Sequence, residues 1–484
     1  MARIEPKTIV LLGVPFHDVT MEETLAEIDR IVLERTPRFI ATANLDFASR
    51  ASRDVELQRI LMDAQLVLCD GTPLVWASRL LDAPLRERVA GSDLTPRLMA
   101  HSAQRGYRIF FLGSDETVLA TARDRFQREY PGLVVCGIYA PPYAKLLEFD
   151  NEAITAAIRE TRPDILLVAM GAPKQEKWIY MNHRELGIPC SIGIGASLDF
   201  VAGKFSRAPV WMQRSGLEWL FRLLQEPRRL FSRYYDNFTF LVSALLSQKR
   251  TLSRRPEAGS AAPSAEPVKE FVHFSWAGRA DAAAALSGLL EVPTPSGTQN
   301  VAVLDLSAVN FMDSTGLGVI MKGYKLCKER EGGLILLNPS QPVRLLIETL
   351  KLQRLIPVAS SEEELRRIAE GLLATAPLCG DEDETGRRIV FNCSGELTAA
   401  NAPRLSELVH LKWDACGWAR FIEVNLAAVH FIDSSGLDAL VRARALAQSR
   451  RGGRFSIVGA NENIQNVLKL GMLNDPLPVK PRGT

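Results

Sequence analysis

The seven cysteines of this 484-residue chain, at 69, 136, 190, 327, 379, 393 and 416, are scattered and form no Cys-x-x-Cys pair. An odd, dispersed set argues against a disulfide framework and against a thiolate zinc site. No apolar run approaches the roughly 18 residues of a membrane span. The N-terminal region has no long apolar stretch of the signal-peptide kind, because Ile9-Val10-Leu11-Leu12 is only strand-sized. A cytoplasmic protein is the expectation. Net charge is nearly absent, +2 at pH 7, and by itself says nothing for or against nucleic acid. Asp-x-Asp, a spacing that can hold a divalent metal, is missing from residues 1–255. Asp381-Glu-Asp383 lies far downstream.

What is present is ordinary soluble composition, 47% hydrophobic and 24% charged, over a length that suits about three domains. Residues 1–255 alternate short apolar runs with helical patterns. The runs Thr8–Val14, Phe39–Thr42, Leu66–Cys69, Arg108–Leu112, Val134–Ile138, Ile165–Met170 and Ser191–Ile194 read as strands, and Met21–Glu34 and Asn151–Thr161 as helices. Such alternation predicts an α/β domain, a Rossmann-like, mostly parallel sheet covered by helices on both faces. Residues 256–267, rich in Pro, Ala, Ser and Glu, read as a flexible linker that should let the first domain fold alone. Beyond it the chain repeats at a constant offset of 120. Val303–Leu317 matches Glu423–Leu437, with Asp313 on Asp433 and Gly316 on Gly436, and the offset persists through Gly332-Gly333 and Gly452-Gly453. Two copies of one small α/β domain are expected, at 268–371 and 385–480, with a hinge at 372–384.

In the first domain, polar clusters fall where predicted strands end: Thr42-Ala43-Asn44-Leu45-Asp46, Asp70-Gly71, Gly171-Ala172-Pro173-Lys174-Gln175-Glu176, and Gly193-x-Gly195 with Asp199. Open α/β sheets bind ligands at that edge, and helix starts there offer N–H groups to an anion. His183 reads as a surface histidine without a role. From Lys204 to Arg255 eleven Lys/Arg stand against three acids, an excess of eight positive charges interleaved with Trp219, Phe231, Tyr234, Tyr235, Phe238 and Phe240. That mixture suits an anionic membrane surface, and equally a solvated basic face; no nucleic-acid module accompanies it.

These motifs, together with Arg88-x-x-Gly91-x-Asp93, Phe111-Leu112-Gly113, Arg207-Ala208-Pro209, Gly216-Leu217-Glu218-Trp219 and Glu226-Pro227-x-Arg229, resemble the WecG/TagA/CpsF glycosyltransferases over about 240 residues. The resemblance implies inverting transfer of an N-acetylmannosamine-type sugar or related hexose from a UDP-sugar to a polyprenyl-pyrophosphate-linked sugar, with no metal or cofactor. It implies a peripheral position on the inner face of the membrane. Asp70 is then the candidate base, and Thr42, Asn44 and Arg88 the acceptor pocket. Arg88 can equally pair with Glu87 or Asp93. Gly113, Gly171, Lys174, Gln175, Glu176, Gly195 and Asp199 would serve the donor, and Arg207, Arg222, Arg228, Arg229 and Arg233 the lipid pyrophosphate.

The repeated units, each with Phe-hydrophobic-Asp-Ser-(Thr/Ser)-Gly-Leu, resemble STAS domains, the fold of anti-sigma-factor antagonists. In one reading the Asp and hydroxyls cap a helix. In the other, a partner kinase phosphorylates one of Ser314, Thr315, Ser434 or Ser435 and recharges a docking surface. A regulatory kinase or an anti-sigma-like protein is the implied partner. The rival expectation is a STAS signalling scaffold carrying an inactive transferase domain. Such a domain would have lost Asp70, Thr42 or Gln175, and all three are retained.

Overall fold

The centre of the first domain is a six-stranded, wholly parallel sheet in a computed structural model that describes residues 6–209, 211–212, 217–252, 264–268, 271–276, 278–280, 301–329, 332–373, 379–383 and 387–470. Its elements are β1 (Lys7–Leu11), β2 (Val14–Asp18), α1 (Met21–Glu34), β3 (Arg38–Ala43), α2 (Leu45–Ala51), α3 (Val55–Asp63), β4 (Leu66–Cys69), α4 (Thr72–Leu80), α5 (Gly91–Arg105), β5 (Arg108–Gly113), α6 (Glu116–Glu129), β6 (Val134–Tyr139), α7 (Asn151–Thr161), β7 (Ile165–Ala169), α8 (Lys174–Leu186), β8 (Cys190–Gly193), α9 (Ser197–Ala202), α10 (Glu218–Gln225) and α11 (Pro227–Leu252). The strand order is β4-β3-β8-β7-β5-β6, so the ends of β4, β3, β8, β7 and β5 open along one edge. All five residues of β7 are buried, as a parallel strand covered on both faces requires. Local chemistry sets the helices. In α1, Thr20 and Glu23 form a reciprocal capping box, and Met21, Leu25, Ile28 and Val32 turn one stripe into the core.

One predicted strand is two. The run Thr8–Val14 folds back at Leu12-Gly13, both with positive φ (53° and 83°), into the antiparallel hairpin β1–β2 outside the main sheet. Ile9, Val10 and Leu11 are all 0% exposed.

The chain divides into two compact units, residues 1–144 with 149–366, and 145–148 with 367–484. The first unit therefore holds the parallel-sheet domain and nearly all of the first repeat. The elements of that repeat are β9 (Ser264–Val268), β10 (Phe271–Ser275), β11 (Gly278–Ala280), β12 (Val301–Asp305), β13 (Val309–Met312), α12 (Ser314–Glu329), β14 (Gly333–Leu337), α13 (Gln341–Thr349), β15 (Val358–Ala359) and α14 (Glu362–Leu373); five strands form a sheet ordered β15-β14-β12-β10-β9, and β11 pairs with β13 in a separate two-stranded sheet. Only β9 is antiparallel to its neighbour. Val10 and Met62 of the parallel-sheet domain share this repeat's hydrophobic core, against the expectation of an independent first domain. The second repeat has the same plan: β16 (Cys379–Asp383), antiparallel, then β17 (Arg388–Leu397), β18 (Phe421–Ile432) and β19 (Arg454–Val458), parallel, with α15 (Ala402–Ala415), α16 (Ser434–Ser449) and α17 (Glu462–Leu470). Residues 264–267, expected as linker, and 379–383, expected as hinge, are edge strands. Polar composition hid them, with Pro267 in the first, and such residues are tolerated at a sheet edge.

Candidate active site

Asp70 sits where β4 ends, with its backbone N–H on the Ala43 carbonyl at 2.9 Å. Its Oδ2 accepts from the Gly91 N–H at 3.3 Å, at the start of α5. Burial pushes its carboxyl up to about 6, although the Arg88 charge and the Gly91 hydrogen bond pull down; the charges of Glu218 and Asp93 add to the rise. Arg88 lies beside it, half-buried, bonded to Asp93 at 2.6 Å and to Glu218 at 3.2 Å. Arg207 completes the cluster, bonded to Asp93 at 2.6 Å and to Ser92 at 3.1 Å. The Arg88–Asp93 pair is the alternative that the sequence offered for Arg88, whereas the joining of Glu218 and Arg207 to that pair was not visible there. Glu218 is 130 residues from Arg88 in sequence.

Thr42 ties the neighbouring strands together. It is 4% exposed, and its Oγ1 donates to the Gly193 carbonyl at 2.8 Å. Asn44 caps α2 by accepting from the Phe47 N–H at 3.3 Å. Asp46, on the same helix, meets Asn237 at 3.5 Å and Arg233 at 4.0 Å, so α11 packs across this end of the edge.

The glycine loops after β5, β7 and β8 stand next along the edge. Gly113 has φ +105°, and a Cβ there would lie 2.6 Å from the Ala169 carbonyl oxygen, so no other residue fits. Ser114, which sequence reasoning passed over, follows with φ 51° and donates its hydroxyl to Asp199 at 3.1 Å. Asp199 also has Lys204 at 3.5 Å. Gln175 is 1% exposed, and its Oε1 accepts both the Gly171 N–H and the Gly195 N–H at 3.1 Å. It thereby clasps two loops from beneath rather than facing the cleft. Its Nε2 donates to Glu176 Oε1 at 2.6 Å. Glu176 is 1% exposed, its Oε2 has no hydrogen-bond partner among the described residues, and burial raises its carboxyl to about 7. Lys174 starts α8 with its ammonium 5.1 Å from the ring centres of both Tyr143 and Phe149, and burial lowers its pKa. Tyr143 is fully exposed.

Of the basic segment, Arg222 stacks 5.1 Å from the Phe200 ring, Arg228 is exposed, and Arg233 approaches both Asp46 and Tyr234. Arg229 lies in α11, and its side chain falls outside the described residues, as does Gly216. His183 is not at the surface: it is 6% exposed, set against Phe39, and burial lowers its pKa to about 4. The hydroxyl residues expected to be open to a kinase are buried: Ser314 0%, Thr315 8%, Ser434 and Ser435 7% exposed. Asp313 and Asp433 cap the two helices at 2.9 Å to the Gly316 and Gly436 N–H groups, as the capping alternative requires.

Residues 9–255 match the profile of the glycosyl transferase WecG/TagA/CpsF family, the stretch that supplies this whole strand edge. The chain belongs to the WecG/TagA/CpsF glycosyltransferase family. It is thus a glycosyltransferase, and STAS domains match at 262–365 and 382–482. It is 32% identical over 240 residues to the N-acetylglucosaminyldiphosphoundecaprenol N-acetyl-β-D-mannosaminyltransferase of Bacillus spizizenii, spanning 49% of this chain and 91% of that protein. The protein of the same description from Bacillus subtilis is 33% identical over 45% of this chain and 84% of its own length. The one from Staphylococcus aureus strain MW2 is 28% identical over 46% and 85%. Among solved structures, an anti-sigma factor antagonist in its unphosphorylated form aligns at 19% identity over 22% of this chain and 89% of its own, with a TM-score of 0.18. Among the described residues, no helix is long and apolar enough to cross a membrane.

Proposed function

We propose that this chain transfers an N-acetylmannosamine-type hexose from a UDP-sugar to a polyprenyl-pyrophosphate-linked sugar, with inversion and without a metal, on the inner face of the cell membrane. The observation that carries this reading is Asp70, a carboxylate at a strand end whose pKa of about 6 suits a base near neutrality. As the acceptor hydroxyl oxygen bonds to the anomeric carbon, the carbon–oxygen bond to UDP breaks and Asp70 takes the hydroxyl proton. Developing charge on the leaving diphosphate meets the amides at the start of α8 and the Lys174 ammonium. Gln175 supports those loops by holding Gly171 and Gly195, and Asp199 with Ser114 borders the nucleoside side. Thr42, Asn44 and Arg88 frame the acceptor sugar, with Arg207, Arg222, Arg228, Arg229 and Arg233 toward its pyrophosphate. Exposed apolar groups on α4 and α10, Trp76, Leu80, Trp219 and Leu224, suit a lipid-borne substrate. The STAS pair regulates or localises the enzyme.

UDP release with candidate UDP-sugars and a short-chain lipid-pyrophosphate acceptor tests this directly. Asp70→Asn should lower turnover by roughly two orders of magnitude while UDP affinity holds, and wild-type activity should persist in EDTA. Near wild-type turnover of the variant would remove Asp70 from the chemistry. A loss in EDTA that Mg²⁺ or Mn²⁺ restores would overturn the metal-free leaving-group site.

A further inference from the structure

The two STAS copies differ where the first one touches the transferase. Helix α12 of the first copy lies against β1 so closely that a Cβ on Gly318 would sit 2.1 Å from the Thr8 carbonyl oxygen. Lys325 reaches the Ala64 carbonyl at 2.6 Å, Lys351 the Ser52 carbonyl at 2.8 Å, and Glu329 pairs with Arg38 at 3.0 Å. At the offset of 120 the second copy has Asp438 for Gly318, Ala445 for Lys325 and Ser449 for Glu329. All three of these contact residues on α12 are changed. Asp438 there is paired with Arg442 on its own helix at 2.8 Å. The STAS fold therefore accepts Asp at this position, and only the approach of β1 demands Gly.

The same interface grips α11. Gln248, near the C-terminal end of that helix, is 0% exposed. It accepts from the Leu12 N–H at 3.3 Å and donates to Ser314 Oγ at 3.1 Å. Eleven residues earlier on α11, Asn237 is buried against Asp46 of α2, the helix capped by Asn44. One rigid helix thus runs from the first STAS copy to the acceptor end of the strand edge.

We infer that the first STAS copy is a docking module for this chain's own transferase domain and positions α11 at the acceptor site, a role the second copy has lost. Docking also engages the Ser314 hydroxyl, which accepts from Gln248 Nε2. The inference rests on the acceptor assignment proposed above, but its structural half does not need activity.

The test uses the full chain carrying Gly318→Asp, the residue of the second copy. Hydrogen exchange should quicken in Lys7–Leu11 and in the last two turns of α11, with β5, β7 and β18 unchanged. The acceptor KM should rise on the order of tenfold, with the donor KM held. Gln248→Ala should raise the acceptor KM while the hairpin stays protected. Unchanged exchange in Lys7–Leu11 of Gly318→Asp would overturn the docking. Freed exchange with an unchanged acceptor KM would overturn the positioning. If Gly318→Asp also loosens β5 and β7, the domain has unfolded, and Gln248→Ala decides: an unchanged acceptor KM there refutes the inference. Wild-type protein inactive on every lipid-pyrophosphate acceptor would sink the proposed function and leave the exchange result standing.

Discussion

At the scale of single residues, the site is built from carboxyls that burial makes reluctant to ionise. Asp70, ordinarily near 3.8, stands at about 6. A raised native pKa means the folded state holds its proton longer, so stability falls as pH climbs from about 4 to about 6. Asp70→Asn removes that loss and should raise the melting temperature above pH 6, by roughly 2–4 °C for each kcal/mol recovered. Wild-type kcat/KM should rise through about pH 6 to a plateau as the base ionises. A flat pH profile would place the proton acceptor elsewhere. Glu176 moves further, from 4.5 to about 7. Glu176→Gln can keep the acceptor oxygen for Gln175 and drops the charge. Thermal melts should therefore match wild type at pH 4, below the ordinary carboxyl value, and exceed it at pH 8. Equal melts at both pH values would mean that the carboxyl ionises freely.

At the scale of elements, α11 presents two unlike faces. Leu230, Asn237 and Gln248 are buried, while Phe231, Tyr235, Phe238, Val242 and Leu246 form an exposed stripe at helical spacing. A contiguous exposed apolar stripe beside cations fits a bilayer surface, where each cation contributes on the order of 1 kcal/mol. Replacing Arg228, Arg229 and Arg233 with Glu should abolish co-sedimentation with anionic vesicles. Binding of the unmodified chain should weaken as salt shortens the Debye length to about 8 Å or less. Sedimentation of the triple variant at low salt would leave α11 an ordinary basic surface.

At the scale of the whole molecule, the first STAS copy covers apolar surface of the transferase domain. Val10 and Met62 lie in that copy's core, so cutting it away bares the β1–β2 hairpin. A fragment of residues 1–255 should aggregate or melt well below the full chain, whereas 1–373 should remain monodisperse with a melting temperature near that of the full protein. Size-exclusion chromatography and thermal melts compare them. Equal behaviour of the two fragments would return the linker boundary to a true domain boundary.

Much of this was legible without coordinates, because local rules dominate there. Met21–Glu34 and Asn151–Thr161 are helices with the expected ends, since capping residues and the apolar stripe act within a few positions. Strands β4, β5, β7 and β8 were visible as short apolar runs, and the edge they open onto follows from parallel α/β topology alone. The 120-residue repeat needed only comparison of the chain with itself. Four things needed the tertiary structure. The split of Thr8–Val14 into a hairpin depends on a turn whose flanks are apolar because the neighbouring repeat covers them. The burial of His183 and Gln175 depends on what packs over α8. The convergence of Arg88, Asp93, Arg207 and Glu218 joins residues up to 130 positions apart. Nor can sequence periodicity distinguish a helix face that meets water from one that meets another domain. The docked first copy and the changed second copy were therefore indistinguishable until Gly318 was seen against Thr8.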